Sequence, residues 1–327
     1  MPRLLVLGFS NTALRAGYTG PLKTLLAERH PELELFVCGL GGLSPHVVPV
    51  AFDRMQQRHG PFSHVVLEIA TSVYARSTTD TPEQAGQLIL DCLNRAAEAG
   101  ARPALLHLFR TDLTVARLPF ARLLTEAATE HGYPVVDLAE GLVQRKGEEF
   151  VRGLLRDTVH TTPEGSLFQA EELLAALDGW LRSTVPATVP PRPALRRLGL
   201  ALHLSAGRAG LFHWQDFLCE TGVIEAGENL TLALPEPLRV FGLTYLVGPR
   251  TGRLEFGLDE RIVPIEAFDE HAHFTRLGLR VLPPAQQGPV RRVSIRQDPA
   301  MPQVVLKRGT PDHGPREGQV VDLLHLG

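Results

Sequence analysis

Up to Arg182 the chain alternates short apolar runs with stretches of helical period. Leu4–Leu7, Leu33–Cys38, His64–Ala70, Ala104–Phe109 and Pro134–Leu138 have strand length and are largely apolar, as parallel strands covered on both faces should be. Between them, Thr19–Arg29 sets Leu22, Leu25 and Leu26 on one helical face, and Pro45–Arg58 does the same with Val47, Val50, Ala51 and Met55. Thr81–Gly100 carries its own punctuation: Thr81 to cap, Pro82 at the first position, Gln84 for a capping box and Gly100 to stop. Repeated units of this kind predict an α/β domain, a parallel sheet with helices on both faces. A flavodoxin-like strand order, 2-1-3-4-5, would place the first strand centrally, beside a switch point.

The pattern then breaks. Thr184–Pro193 is rich in proline, which cannot continue a helix or donate within a central strand, and it reads as a stiff linker. Beyond it come short β-like runs separated by Gly and Pro: Leu198–Leu204, Leu230–Leu234, Val240–Val247, Arg253–Leu258, Leu277–Leu282, Val290–Ile295 and Val304–Leu306. These predict a mostly-β domain of sandwich or jelly-roll type. The expected division is a domain over residues 1–183, a linker over 184–193 and a β-rich domain over 194–327.

Composition narrows the function. With 327 residues, 44 % of them hydrophobic, the chain can bury two cores. The balance of 33 basic and 36 acidic residues, net −3, gives no support to nucleic-acid binding. Met1-Pro2-Arg3 runs directly into the first strand without the features of a secretion signal, and no apolar run reaches membrane-spanning length, so no membrane partner and a cytoplasmic location are expected. Cys38, Cys92 and Cys219 are odd in number and far apart, against a disulfide framework or a metal site. Cys38 precedes the Gly39 turn, but a buried apolar role explains it better than a catalytic thiol. Gly39, Gly41 and Gly42 lack the third glycine of a dinucleotide fingerprint, and there is no P-loop, so no cofactor is expected.

The candidate chemistry lies at the end of the first strand. Gly8 allows a tight exit, and Ser10 follows in the crevice where open α/β sheets bind ligands. Ser10, Asn11 and Thr12 could simply cap a helix. The distant segment Asp157-Thr158-Val159-His160 gives Ser10 a second meaning. A serine needs an imidazole to take its proton, and the imidazole needs an acceptor on its other nitrogen. One turn can bring Asp157 to His160, while Thr162 caps a helix that Pro163 begins.

These blocks resemble those of the SGNH, or GDSL, hydrolases over roughly residues 3–182. Gly8-Phe9-Ser10 is similar to the G-D-S block with Phe9 in place of the acid. Gly39-Leu40-Gly41-Gly42 resembles the glycine turn that supplies a backbone oxyanion donor, at Gly42. Asp157-Thr158-Val159-His160 resembles D-x-x-H, with Pro163 and Gly165 following. In the block Val65–Ser72 the asparagine of the family pattern is replaced by Ser72, and Val73 follows. A serine hydroxyl is shorter than an asparagine amide, and losing one oxyanion donor costs on the order of 100- to 1000-fold.

The resemblance implies catalysis by Ser10, Asp157 and His160, an oxyanion hole of Ser10, Gly42 and Ser72, and a small-molecule or glycan ester as partner. Asn11 could also donate to the oxyanion or contact substrate, and Arg110, just beyond the fourth strand, could hold a carboxylate or sugar hydroxyl. The implied activity is removal of a small acyl group, acetyl before others, from a carbohydrate or other hydroxylated compound. O-acyl transfer by the same residues and a degenerate, glycan- or partner-binding domain are the alternatives. In the β-rich part, Trp214, Phe212, Tyr245 and Phe274 could stack on sugars, although core positions explain them better. His271 and His273 form a pair with no third metal ligand. Covering the cleft or making a homodimer contact are further roles open to this domain.

Overall fold

The computed structural model describes residues 1–41, 47–69, 71, 82–111, 119–182, 195–204, 208–268, 275–300 and 316–327. The chain divides into two units. One comprises Met1–Arg192 with Trp214–Phe217, and the other Pro193–His213 with Leu218–Gly327. The proline-rich segment 184–193 lies outside the described residues.

The first unit is built on β1 (Arg3–Gly8), β2 (Glu34–Gly39), β3 (His64–Glu68), β4 (Arg102–His107) and β5 (Val135–Asp137). All are parallel, in the order β2-β1-β3-β4-β5, the order the strand-helix alternation predicts. Among the described residues its helices include α1 (Ser10–Ala13), α2 (Thr19–Arg29), α3 (Val48–His59), α4 (Pro82–Glu98), α5 (Pro119–Glu130), α6 (Leu138–Lys146), α7 (Glu148–Gly153) and α8 (Pro163–Arg182). Leu4–Leu7, Val65–Leu67 and Ala104–Leu106 are almost wholly removed from solvent, so the central strands need apolar side chains on both faces. Each large aliphatic side chain buried there stabilises by roughly 2 kcal/mol. This core fixes the carboxyl ends of β1, β2 and β3 relative to one another.

The second unit contains β6 (Leu195–Gly199), β7 (Ala209–Trp214), β8 (Phe217–Glu225), β9 (Asn229–Val247), β10 (Arg253–Leu258), β11 (Arg261–Glu266), β12 (Arg276–Val281), β13 (Pro289–Gln297) and β14 (Glu317–Leu326). They form one antiparallel sheet whose main path is β11-β10-β13-β9-β14-β8-β7, with β12 on β9 and β6 on β14. The mostly-β domain that the sequence predicts is present, with strands continuous through β9. That strand also joins the runs Leu230–Leu234 and Val240–Val247, which Pro235 and Pro237 separate in the sequence. The ladder with β13 jumps from Leu238–Val290 to Ala233–Arg292, so both prolines sit in a bulge where no ladder donor is required. The expected strand Leu198–Leu204 ends at Gly199 and gives way to a 3-10 turn at Ala201–His203. Val304–Leu306 lies outside the described residues. Among the described residues no helix is long and apolar enough to cross a membrane.

Candidate active site

β1 leads directly into α1, a single turn that begins with Ser10. The turn is held closely. A β-carbon at Gly8 would overlap Thr12 Oγ1 and the Glu68 side chain, and one at Gly39 would overlap the backbone of Ala13. Both glycines are therefore set by packing of the β1 and β2 exits around α1. Phe9, at the acidic position of the family block, is fully buried, and its N–H donates to Glu68 Oε2 at 3.2 Å.

His160 reaches this turn from the loop before α8. Its Nε2 lies 3.1 Å from Ser10 Oγ. Its Nδ1 is 3.0 Å and 2.9 Å from the two oxygens of Asp157. With Nδ1–H directed at the carboxylate, Nε2 is left to accept from the serine hydroxyl. Asp157 Oδ1 also accepts from the N–H groups of Val159 and His160, so the carboxylate folds its own loop. Thr162 caps α8 through Gly165 N–H at 3.0 Å, and a β-carbon at Gly165 would overlap the Leu154 carbonyl. Ser166 Oγ donates to the Ala16 carbonyl at 2.7 Å, tying α8 to the segment after α1.

The electrostatics follow from placement. Burial alone would raise the Asp157 pKa. Hydrogen bonds from Val159 and His160 and the neighbouring imidazole outweigh that and hold the carboxyl below its ordinary value. Asp157 remains half exposed, at 49 %, and His160 is 26 % exposed. The base can therefore be approached from solvent.

Glu68 was not singled out from the sequence, although a lone acid in an apolar strand was the available signal. It is fully buried, and Thr12 Oγ1 donates to its Oε2 at 3.2 Å while Tyr18 Oη lies 2.9 Å from the same hydroxyl. Burial pushes the Glu68 carboxyl up to about 8, despite the hydrogen bonds from Phe9, Thr12 and Thr71. The carboxyl is thus mainly neutral at pH 7. Because its folded pKa is raised, its contribution to stability is complete below the ordinary value of 4.5 and is lost as pH rises toward 8. Glu68→Gln keeps an acceptor for Phe9 and Thr12 without the ionisation. We expect the wild-type melting temperature to fall between pH 5 and 8 by roughly 5 °C more than that of the variant, measured by calorimetry.

The other expected site residues divide as follows. Asn11 is 2 % exposed within α1. Arg110 Nη1 donates to the Thr71 carbonyl at 2.6 Å. A β-carbon built on Gly41 would lie 3.8 Å from the Cα of Ser10, so the glycine turn runs beside Ser10. Gly42, Ser72 and Val73 lie outside the described residues, as do Phe274 and the pair His271 and His273. Cys38, Cys92 and Cys219 are buried thiols. Phe212 and Tyr245 are buried, in keeping with core positions. Among the described residues no cluster of His, Cys, Asp or Glu could hold a metal ion.

A serine hydroxyl facing an imidazole that a carboxylate orients, beyond the carboxyl ends of a parallel sheet, is an arrangement suited to nucleophilic acyl chemistry. The fold is similar to that of a solved two-domain esterase. A two-domain esterase (CEX) active on acetylated mannans matches over 100 % of this chain and 91 % of its own, with a TM-score of 0.69 and 14 % identity. The same esterase co-crystallised with mannopentaose matches with a TM-score of 0.68 and 15 % identity, covering 100 % of this chain and 90 % of that one. An acetylxylan esterase from Geobacillus stearothermophilus matches over 53 % of this chain and 93 % of its own, with a TM-score of 0.46 and 16 % identity. The two-part fold, an α/β domain followed by an antiparallel β domain, is that of the two-domain esterase. No family model matches the sequence. No curated protein matches it either.

Proposed function

We propose that the protein is a serine esterase that removes acetyl groups from an acetylated carbohydrate. The observation that carries this reading is the contact of Ser10 Oγ with His160 Nε2, with Asp157 on the opposite nitrogen. Ser10 Oγ attacks the ester carbonyl as its proton passes to His160 Nε2. Collapse of the tetrahedral adduct returns that proton to the leaving sugar oxygen and leaves an acetyl-serine. Water, deprotonated by His160, then attacks the acyl carbon and releases acetate and Ser10. Asp157 holds the imidazole in its tautomer and stabilises the imidazolium. The oxyanion is assigned to the Ser10 and Gly42 amides with the Ser72 hydroxyl, by resemblance to the family blocks. Asn11, in the Ser10 turn, and Arg110, just beyond the fourth strand, are assigned to oxyanion or substrate contact from their positions in the chain. The carbohydrate follows from the likeness to an esterase active on acetylated mannans.

The test is hydrolysis of 4-nitrophenyl acetate, butyrate and octanoate, with acetate release from acetylated mannan measured alongside. Preference for acetate and release from the polymer are expected. Turnover no greater than that of Ser10→Ala would overturn the esterase reading, whereas acetyl transfer to an added sugar faster than to water would replace hydrolysis with O-acyl transfer.

A further inference from the structure

The first unit includes four residues from far along the chain, Trp214–Phe217, at the turn between β7 and β8. They complete the outer edge of β2, the terminal strand of the parallel sheet. Asp216 Oδ2 accepts from Val37 N–H at 2.8 Å, Asp216 N–H donates to the Val37 carbonyl at 3.2 Å, and the Asp216 carbonyl lies 2.8 Å from His59 Nε2. An edge strand otherwise presents these backbone groups to solvent. Gln215 does something different. Its backbone is in the left-handed region, with φ at 53°, and its side-chain amide spans two other elements. Oε1 accepts from Gly39 N–H at 2.7 Å, and Nε2 donates to the Thr12 carbonyl at 3.0 Å.

The two partners matter because of what they carry. Thr12 belongs to α1, the single turn that begins with Ser10. A turn this short leaves its last carbonyls without helical partners. Gly39 opens the Gly39-Leu40-Gly41 turn, which runs beside Ser10 and leads to Gly42. The Thr12 side chain is anchored on Glu68 and Tyr18, and Gln215 adds a hold on the same residue through its backbone.

We propose that Gln215 is a positioning residue for the hydrolytic step: its amide fixes the separation of the Ser10 turn and the glycine turn. This rests on the esterase reading above. Gln215 does not touch the reacting atoms, so its removal acts on kcat and on the reactivity of Ser10 rather than on substrate affinity. Misplacement of catalytic groups by about 1 Å costs on the order of 100-fold.

The experiment compares Gln215→Met, which keeps the length of the side chain and loses both hydrogen bonds, with Asp216→Ala in the full-length protein. Asp216→Ala removes an edge hydrogen bond of the same segment but touches neither Thr12 nor Gly39. Readouts are kcat and KM for 4-nitrophenyl acetate, the rate of Ser10 labelling by a fluorophosphonate, and the melting temperature. For Gln215→Met we expect kcat and labelling rate to fall 10- to 100-fold with KM within about twofold. For Asp216→Ala we expect a lower melting temperature with kcat within about twofold. If Gln215→Met does not fold, Gln215→Glu, which keeps the acceptor for Gly39 and loses the donor to Thr12, is read in the same way. Equal effects of the two substitutions on kcat, or an unchanged labelling rate in Gln215→Met, would overturn the assignment. Failure of the esterase reading is distinguished by the wild-type protein, which would then neither turn over nor label.

Discussion

We expect Ser10→Ala protein to melt as the wild type does and to lose hydrolysis of 4-nitrophenyl acetate by about a million-fold in kcat, the scale seen when a triad nucleophile is removed. The fold should be preserved because Ser10 is only partly buried. Gly8, Phe9 and Thr12 hold the turn instead. The chemistry is lost because the atom facing His160 Nε2 at 3.1 Å is the one that must form the acyl bond. Turnover measured beside fluorophosphonate labelling checks this, since both should vanish together. Retention of either would move the nucleophile elsewhere.

For Asp157→Asn the next largest effect is expected, a fall of about 10,000-fold in kcat with little change in melting temperature near neutral pH. The asparagine oxygen can still accept from the Val159 and His160 N–H groups, so the loop keeps its shape. Its amide, turned to His160 Nδ1, would donate and drive the proton to Nε2. An imidazole in that tautomer cannot take a proton from Ser10. The depressed Asp157 pKa gives the matching acid dependence: stability from this carboxylate is present above its ordinary value of 3.8 and is lost as pH falls through its lower folded value. Thermal melts and rates of wild type and variant across the acid range check both claims. Equal kcat values at pH 7 would show that Asp157 does not orient the base.

The parts of this molecule that were legible in the sequence are those specified locally or by burial. The central strands announce themselves because both faces of β1, β3 and β4 are covered, and a continuous apolar run has few other uses. Thr19–Arg29 is a helix with the bounds its pattern predicts. Asp157 and His160 are three residues apart, so their contact is a property of one loop. What the sequence hid depends on distant partners. Gln215 meets Gly39 and Thr12 across most of the chain, and a lone glutamine beside a turn gives no sign of it. Glu68 reads as an irregularity until Thr12 and Phe9 are seen above it. β7, β8, β11 and β14 escaped notice because their apolar positions alternate or are interrupted by Gly, Pro and charge. Conversely, Pro235 and Pro237 suggested a break that a bulge in β9 absorbs.

The position of β14 has a consequence in time. It lies between β9 and β8 and also carries β6, yet it is the final strand of the sequence. During synthesis the second sheet therefore cannot close when β8 and β9 emerge. At about 5–20 residues per second, both wait for several seconds with unpaired edges. The parallel sheet of the first unit, whose five strands all precede Leu138, has no such delay. Nascent chains stalled before Glu317 should thus contain a finished parallel sheet followed by β strands open to chaperones and to one another.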